Sequence, residues 1–244
     1  MSDKHLFIAT PAFGNSIVVN YVNSLLGSIT HLGQSKIPVS TWIKPGGPYI
    51  VQERNLAVRD FLKTKCSHLL FIDADLGWSH DAITKMLSRE KPIIGGLYRY
   101  KMDEEGYPAR IWMDEETKLP VINDDGLIKC DGLPTGFMLI ERWVIEEMIK
   151  FYPELSGEFN GEPYYNLFDC VYRNNTWWGE DYVFCKRFMG MGGEMWAEPN
   201  ITFTHCGQAG YTGNWQQYLQ QRIKETDNGS NSAKNNRRKQ KKRF

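Results

Sequence analysis

Leu69-Leu70-Phe71-Ile72-Asp73-Ala74-Asp75-Leu76-Gly77-Trp78 is the stretch whose reading decides the fold. An apolar run of strand length ends in two carboxylates one residue apart. Both acids therefore stand where a buried strand meets solvent, and open α/β sheets bind their ligands at the carboxyl ends of strands. If the strand continues, the i, i+2 spacing turns both carboxylates to one side. Hard oxygen ligands of this kind suit Mg²⁺ or Mn²⁺, and such a cation suits a substrate diphosphate. A polar strand end followed by a turn produces the same letters, so partners elsewhere in the chain decide between the two.

Upstream, His5 to Thr10 reads as a first strand, and Pro11-Ala12-Phe13-Gly14-Asn15 punctuates it as a loop. Val18, Tyr21, Val22, Leu25 and Leu26 recur at helical spacing. Lys36 to Ile43 gives a second strand, Lys44 to Pro48 a Pro/Gly loop, and Ile50 to Lys63 a second helix. The alternation predicts βαβ units and a mainly parallel sheet. Downstream, a helix follows Ser79 or His80 and ends before Pro92, and Pro92 to Tyr98 is another strand. Tyr98, Arg99, Tyr100 and Lys101 then place cations and hydroxyls just past a strand end, where a phosphate or sugar can be met.

From Met102 to Leu133 the pattern weakens into acidic clusters between short strand candidates, which read as solvated hairpin turns. A strand enters through Gly136, whose missing side chain lets a ligand approach the backbone, and a helix covers Arg142 to Phe151. Tyr152 to Asn175 reads as a long substrate loop. It leads into Trp177-Trp178-Gly179-Glu180-Asp181, two indoles and then two acids opening a helix. Acids in a first turn are favoured by the helix dipole, but indoles beside carboxylates also suit a sugar. Ile201 to His205 is a strand with a histidine at its end, able to ligate Mn²⁺, and Trp215 to Lys224 forms a last helix.

The chain is long enough for a substantial core. Its 29 Lys and Arg balance 29 Asp and Glu, but Lys234 to Phe244 holds 7 of the cations and no acid, which leaves the preceding residues at −7. An acidic body (1–226, one domain) therefore carries a basic, disordered tail (227–244) capable of weak contact with nucleic acid or an anionic surface. Five scattered cysteines without a C-x-x-C pair argue against a disulfide framework and against structural zinc, and fit a reducing compartment. No apolar run approaches the ~20 residues of a membrane span and no leader is evident, so a cytoplasmic, unsecreted protein is expected.

Asp73-Ala74-Asp75 as a D-x-D motif, Gly179-Glu180-Asp181 as an x-E-D motif and His205 as a C-terminal metal histidine, in this order, resemble the GT-A fold glycosyltransferases. The compact enzymes of bacteriophages and large DNA viruses are the nearest in kind. The resemblance covers roughly Leu6 to Tyr211. It implies an α/β GT-A (nucleotide-diphospho-sugar transferase) fold, a mainly parallel central sheet flanked by helices, with a smaller antiparallel acceptor-side element. The donor part is then about 1–100 and the acceptor side about 101–226.

The activity so implied is metal-dependent transfer of a sugar from a nucleotide diphosphate, a UDP-sugar in the first instance, to a glycan or other hydroxyl. Thr10, Pro11, Phe13, Arg54, Asp73, Ala74 and Asp75 would meet the donor. Asp73, Asp75 and His205 would hold Mn²⁺ or Mg²⁺. Glu180 or Asp181 would be the catalytic base or orient the acceptor, and Tyr98, Lys101, Gly136, Trp177 and Trp178 would contact sugar or acceptor. Two other readings stand beside it: a sugar nucleotidyltransferase, and a non-catalytic carbohydrate-binding or virion-associated protein.

Overall fold

The computed structural model describes residues 4–207 and 209–225; the basic tail lies outside them. In chain order the first half comprises β1 (Leu6–Phe13), α1 (Val19–Gln34), β2 (Val39–Gly46), α2 (Ile50–Leu62), β3 (His68–Ile72), β4 (Leu76–Trp78), α3 (Ala82–Ser88) and β5 (Ile93–Gly96). The second comprises β6 (Arg110–Ile111), β7 (Ile128–Gly132), β8 (Phe137–Glu141), α4 (Arg142–Phe151), β9 (Ser156–Phe159), β10 (Glu162–Tyr165), β11 (Val171–Arg173), β12 (Thr176–Trp178), α5 (Glu180–Gly190), β13 (Met195–Glu198), β14 (Thr202–Cys206) and β15 (Gly210–Asn214). A last helical stretch covers 215–225.

Eight strands form the central sheet in the order β2-β1-β3-β8-β5-β13-β7-β6. The neighbour pairings make β8 and β7 the two reversed strands, so the sheet is mixed but mainly parallel in direction. Alternation along the strands divides the core between the two faces. Phe7, Ala9, Leu69 and Phe71 pack with Val58 and Phe61 of α2, Val144 and Met148 of α4, and Phe184 and Phe188 of α5. Leu6, Ile8, Leu70 and Ile72 pack on the opposite face with Tyr21 and Leu25 of α1 and Ile83 and Met86 of α3. β3 is therefore buried on both faces, and each of its large apolar side chains contributes roughly 1.5–3 kcal/mol of burial.

Three departures from the sequence expectation concern the site. β1 and β2 run on through Pro11 and Pro45, because they pair in parallel register from Leu6↔Val39 to Phe13↔Gly46. β2 is an edge strand, where a proline's missing N–H need not interrupt a ladder. The strand into the acidic pair stops at Ile72, and Asp73-Ala74-Asp75 is a turn closed by Leu76 N–H on the Asp73 carbonyl at 3.2 Å. The two carboxylates therefore do not share a strand face. Finally, Tyr152 to Asn175 is not an open loop: it holds the hairpin β9–β10 and the first strand of β11–β12.

Candidate active site

β1, β3 and the turn after it build one wall of a cleft of about 350 Å³, lined by Pro11, Phe13, Ser16, Val18, Ile50, Arg54, Asp73, Ala74 and Asp75. Six of the seven residues expected to meet a donor are brought together here. Thr10 is the exception: its side chain is buried and its hydroxyl bonds Tyr21 Oη at 2.6 Å, inside the core. Ser16, Val18 and Ile50 complete the lining without having been singled out in the sequence. They sit at the mouths of the first two βα connections, and position, not chemistry, is their only signal. Val18 N–H donates to the Ala74 carbonyl at 3.0 Å, which docks the start of α1 against the acidic turn. No side chain caps that helix start, so its free N–H groups and the positive end of its dipole favour an anion nearby.

α2 supplies the cation. The Arg54 side chain is 4% exposed and lies over the Phe71 ring, donating from Nε to Glu180 Oε1 and from Nη2 to Asp73 Oδ1, both at 3.2 Å. Burial pushes the guanidinium's pKa down, but Asp73 and Glu180 outweigh it and the net shift is upward. Its Nη1 is buried without a hydrogen-bond partner, and such a nitrogen on a cleft-lining side chain invites an anionic ligand. One side chain thus joins the D-x-D turn to the x-E-D helix, although Arg54 and Glu180 stand 126 residues apart in the chain. The next residue, Asn55, bonds both backbone groups of Phe168, Tyr164 Oη and Asn166, fixing the second-half loops to the same helix.

Asp75 meets His205 through sheet register. β4 pairs antiparallel with β14 so that Leu76 lies opposite His205, and Cys206 N–H donates to the Asp75 carbonyl at 2.8 Å. His205 Nδ1 lies 2.8 Å from the Arg99 carbonyl. A carbonyl only accepts, so Nδ1 carries the proton and a neutral ring presents its lone pair at Nε2. That atom is 3.5 Å from Asp75 Oδ1, too long for a good hydrogen bond, and Oδ1 is buried without any such partner. With the ring neutral, Nε2 and Oδ1 are two acceptors facing each other, which a cation would bridge, so this pair fits Mn²⁺ or Mg²⁺; a protonated ring would instead turn an N–H toward Asp75. Asp73 does not join it: its carboxylate is turned to Arg54, and among the described residues no group of three or more His, Cys, Asp or Glu side chains is placed to hold a metal ion. Burial raises the Asp75 pKa, but His205 and Lys101 outweigh it and leave the carboxyl below its ordinary value. Lys101, expected against sugar, places its ammonium on Asp75 Oδ2.

At the start of α5 the two acids have different surroundings. Glu180 is engaged by Arg54, whereas Asp181 accepts the Tyr182 N–H at 2.8 Å. Burial, and then the neighbouring Glu180 charge, push the Asp181 pKa up to about 6. The tryptophans before them diverge, as adjacent strand residues do. Trp178 lies under the Arg110 guanidinium at 4.9 Å, while Trp177 is 66% exposed and pairs across β11–β12 with the equally exposed Tyr172.

Tyr98 is buried, its ring edge-on to His205 at 5.0 Å. Gly136 sits behind it: a Cβ there would collide with the Tyr98 hydroxyl and the Asp73 carboxylate. Gly136→Ala is therefore expected to lower the unfolding free energy by about 1–3 kcal/mol, the usual penalty of overpacking. Urea titration of the two proteins checks this, and an unchanged midpoint would show that the pair has room to move.

No protein-family model matches the chain, and no curated protein matches it. Among solved structures it is similar to A197 from STIV, with 17% identity over 84% of this chain and 86% of that one and a TM-score of 0.49. It is similar also to S. aureus TarS 1-349 in complex with UDP-GlcNAc, at 11% identity over 80% of this chain, with a TM-score of 0.44; the match spans 56% of that chain. A third is 4-diphosphocytidyl-2C-methyl-D-erythritolsynthase from Anaerococcus prevotii DSM 20548, at 12% identity, 65% and 81% coverage and a TM-score of 0.34.

Proposed function

We propose that the chain is a metal-dependent glycosyltransferase that moves a sugar from a nucleotide diphosphate of the UDP-sugar type to a hydroxyl acceptor such as a glycan. The observation that carries this reading is the acidic turn itself. Asp73 and Asp75 stand at the carboxyl end of a buried strand, in a cleft whose other groups are an underbonded guanidinium, an uncapped helix start and the apolar faces of Pro11, Phe13 and Ile50. Apolar faces beside anion-binding groups suit a nucleotide with its phosphates.

In this reading Pro11, Phe13 and Ile50 hold the base and ribose, while Arg54 Nη1 and the start of α1 face the diphosphate. Asp75 and His205 would hold Mn²⁺ or Mg²⁺, which when bound neutralises charge on the departing diphosphate. Asp73, locked to Arg54, orients that guanidinium instead of ligating. Asp181 is the better general base of the x-E-D pair, because Glu180 is already engaged by Arg54 and a carboxyl raised to about 6 accepts a proton near neutral pH. Trp177 and Tyr172 offer the acceptor an aromatic platform. Residues 1–226 form one catalytic unit in this proposal. Five free cysteines fit a reducing, cytoplasmic setting. Among the described residues no helix is long and apolar enough to cross a membrane.

A panel of nucleotide sugars tested by thermal shift with Mn²⁺ is the direct test of binding. The cognate nucleotide is expected to stabilise the protein by about 2.7 kcal/mol at a hundredfold excess over Kd, with much less stabilisation after chelation. A panel in which no nucleotide sugar raises the melting temperature would reject the donor site.

A further inference from the structure

The contact between Lys101 and Asp75 concerns the metal reading above and rests on it. Lys101 is built into the site, unlike most surface lysines. Its segment hangs from the end of β5: the Arg99 carbonyl takes the His205 Nδ1 proton at 2.8 Å, the Arg99 guanidinium donates to the Met102 and Asp103 carbonyls at 2.8 and 3.0 Å, and Tyr100 N–H donates to the Gly106 carbonyl at 2.8 Å. The Lys101 stem passes over Gly207, where an added Cβ would lie 3.2 Å from Lys101 Cδ. So placed, the ammonium covers Asp75 Oδ2 while His205 Nε2 faces Oδ1. Each oxygen of the carboxylate is therefore addressed from a different side, and Oδ2 is already paired with a cation of the protein's own.

We propose that Lys101 is the resident counter-cation of Asp75: it competes with a divalent metal for the carboxylate, and the donor's diphosphate is the anion that draws its ammonium away. The flexible four-carbon stem lets the charge move without displacing the segment that orients His205. With the metal absent, Lys101 keeps the half-buried Asp75 charge compensated. When a nucleoside diphosphate arrives, the ammonium exchanges one anionic partner for another and Asp75 is released to the metal. Metal and nucleotide then bind with positive coupling, to which Lys101 contributes beyond any direct contact between the two ligands.

Mn²⁺ binding, followed by the electron paramagnetic resonance signal of the free ion, tests this on the full chain and on Lys101→Met, Lys101→Arg and Asp75→Asn, each checked for folding by a thermal melt. With Mn²⁺ alone, Lys101→Met is expected to bind roughly tenfold tighter than the parent, the size of a lost charge-assisted hydrogen bond. Lys101→Arg should stay near the parent, and addition of UDP should narrow the gap between parent and Lys101→Met. Equal or weaker Mn²⁺ binding by Lys101→Met, with binding abolished in Asp75→Asn, would overturn the proposal while leaving the metal site standing. Parent-like binding by Asp75→Asn would instead remove the metal site, and the role of Lys101 with it.

Discussion

Asp75→Asn is expected to reduce sugar transfer by about 10²–10³-fold at saturating Mn²⁺, the scale on which loss of one charge-stabilising group slows a reaction. The substitution keeps the volume and leaves the backbone bond from Cys206 to the Asp75 carbonyl untouched, so the fold should survive. What it removes is the charge that faces His205 and Lys101. Asp73→Asn should behave differently. Its partner is the buried Arg54 guanidinium, so a neutral residue there leaves part of a buried cation uncompensated and lowers stability as well as rate. Steady-state rates and urea midpoints on both variants separate the two, and parent-like turnover by Asp75→Asn would end its assignment.

The second large effect concerns Asp181. With a pKa of about 6, caused first by burial and then by Glu180, the carboxylate needed to accept a proton is present only above that pH. The transfer rate should therefore climb with pH through about 6 and level off, and Asp181→Asn should lower it by roughly 10²–10⁴-fold and abolish the climb. Stability should move the other way. The folded-state pKa is raised above the unfolded value of 3.8, so the fold holds that proton longer than the unfolded chain does. Stability is then lost as pH rises from about 4 to about 6, by on the order of 2–3 kcal/mol. Asparagine can still accept the Tyr182 N–H, so Asp181→Asn should stabilise the protein near pH 7.5 and leave it unchanged near pH 3.5. A variant that is stabilised but inactive is the signature of a group held for chemistry at the expense of the fold. Unchanged stability at pH 7.5 would contradict the burial of its charge, and an unchanged rate would remove it from the chemistry.

Much of the fold is legible in the sequence because local and long-range signals agree there. The apolar run into Asp73, the helical spacing of α1 and the Pro-ended α3 each depend on periodicity that burial on one or both sheet faces imposes. The reversed strand β8 is not legible, since a doubly buried strand carries no mark of its direction. Nor are the hairpins between 152 and 178, although one signal was present: Asn160-Gly161 takes positive φ at both positions, as the two central residues of a tight hairpin turn require. Asn174 and Asn175 do the same at the tip of β11–β12.

The acidic turn can be nominated from residue type and order, and Arg54 and the metal role of His205 from the family resemblance that those motifs carry. Their division of labour cannot. That Asp73 serves Arg54 while Asp75 faces His205 follows from a turn after Ile72 and from the pairing of Leu76 with His205, a register between distant segments that no local pattern encodes. Thr10 fails in the other direction. It stands on β1 directly before the cleft-lining Pro11, but Tyr21 takes its hydroxyl into the core. The contact of Lys101 with Asp75 was likewise invisible, because it depends on how the segment after β5 folds back over Gly207.

Product analysis tests the central claim most directly. The protein is incubated with a nucleotide sugar that stabilises it, a hydroxyl acceptor and Mn²⁺, and the released nucleotide and phosphate species are resolved. Release of the nucleoside diphosphate, dependent on metal and lost in Asp75→Asn, is the result the account predicts. Release of pyrophosphate from a nucleoside triphosphate and a sugar phosphate, with no diphosphate from any nucleotide sugar, would contradict it and make the protein a nucleotidyltransferase.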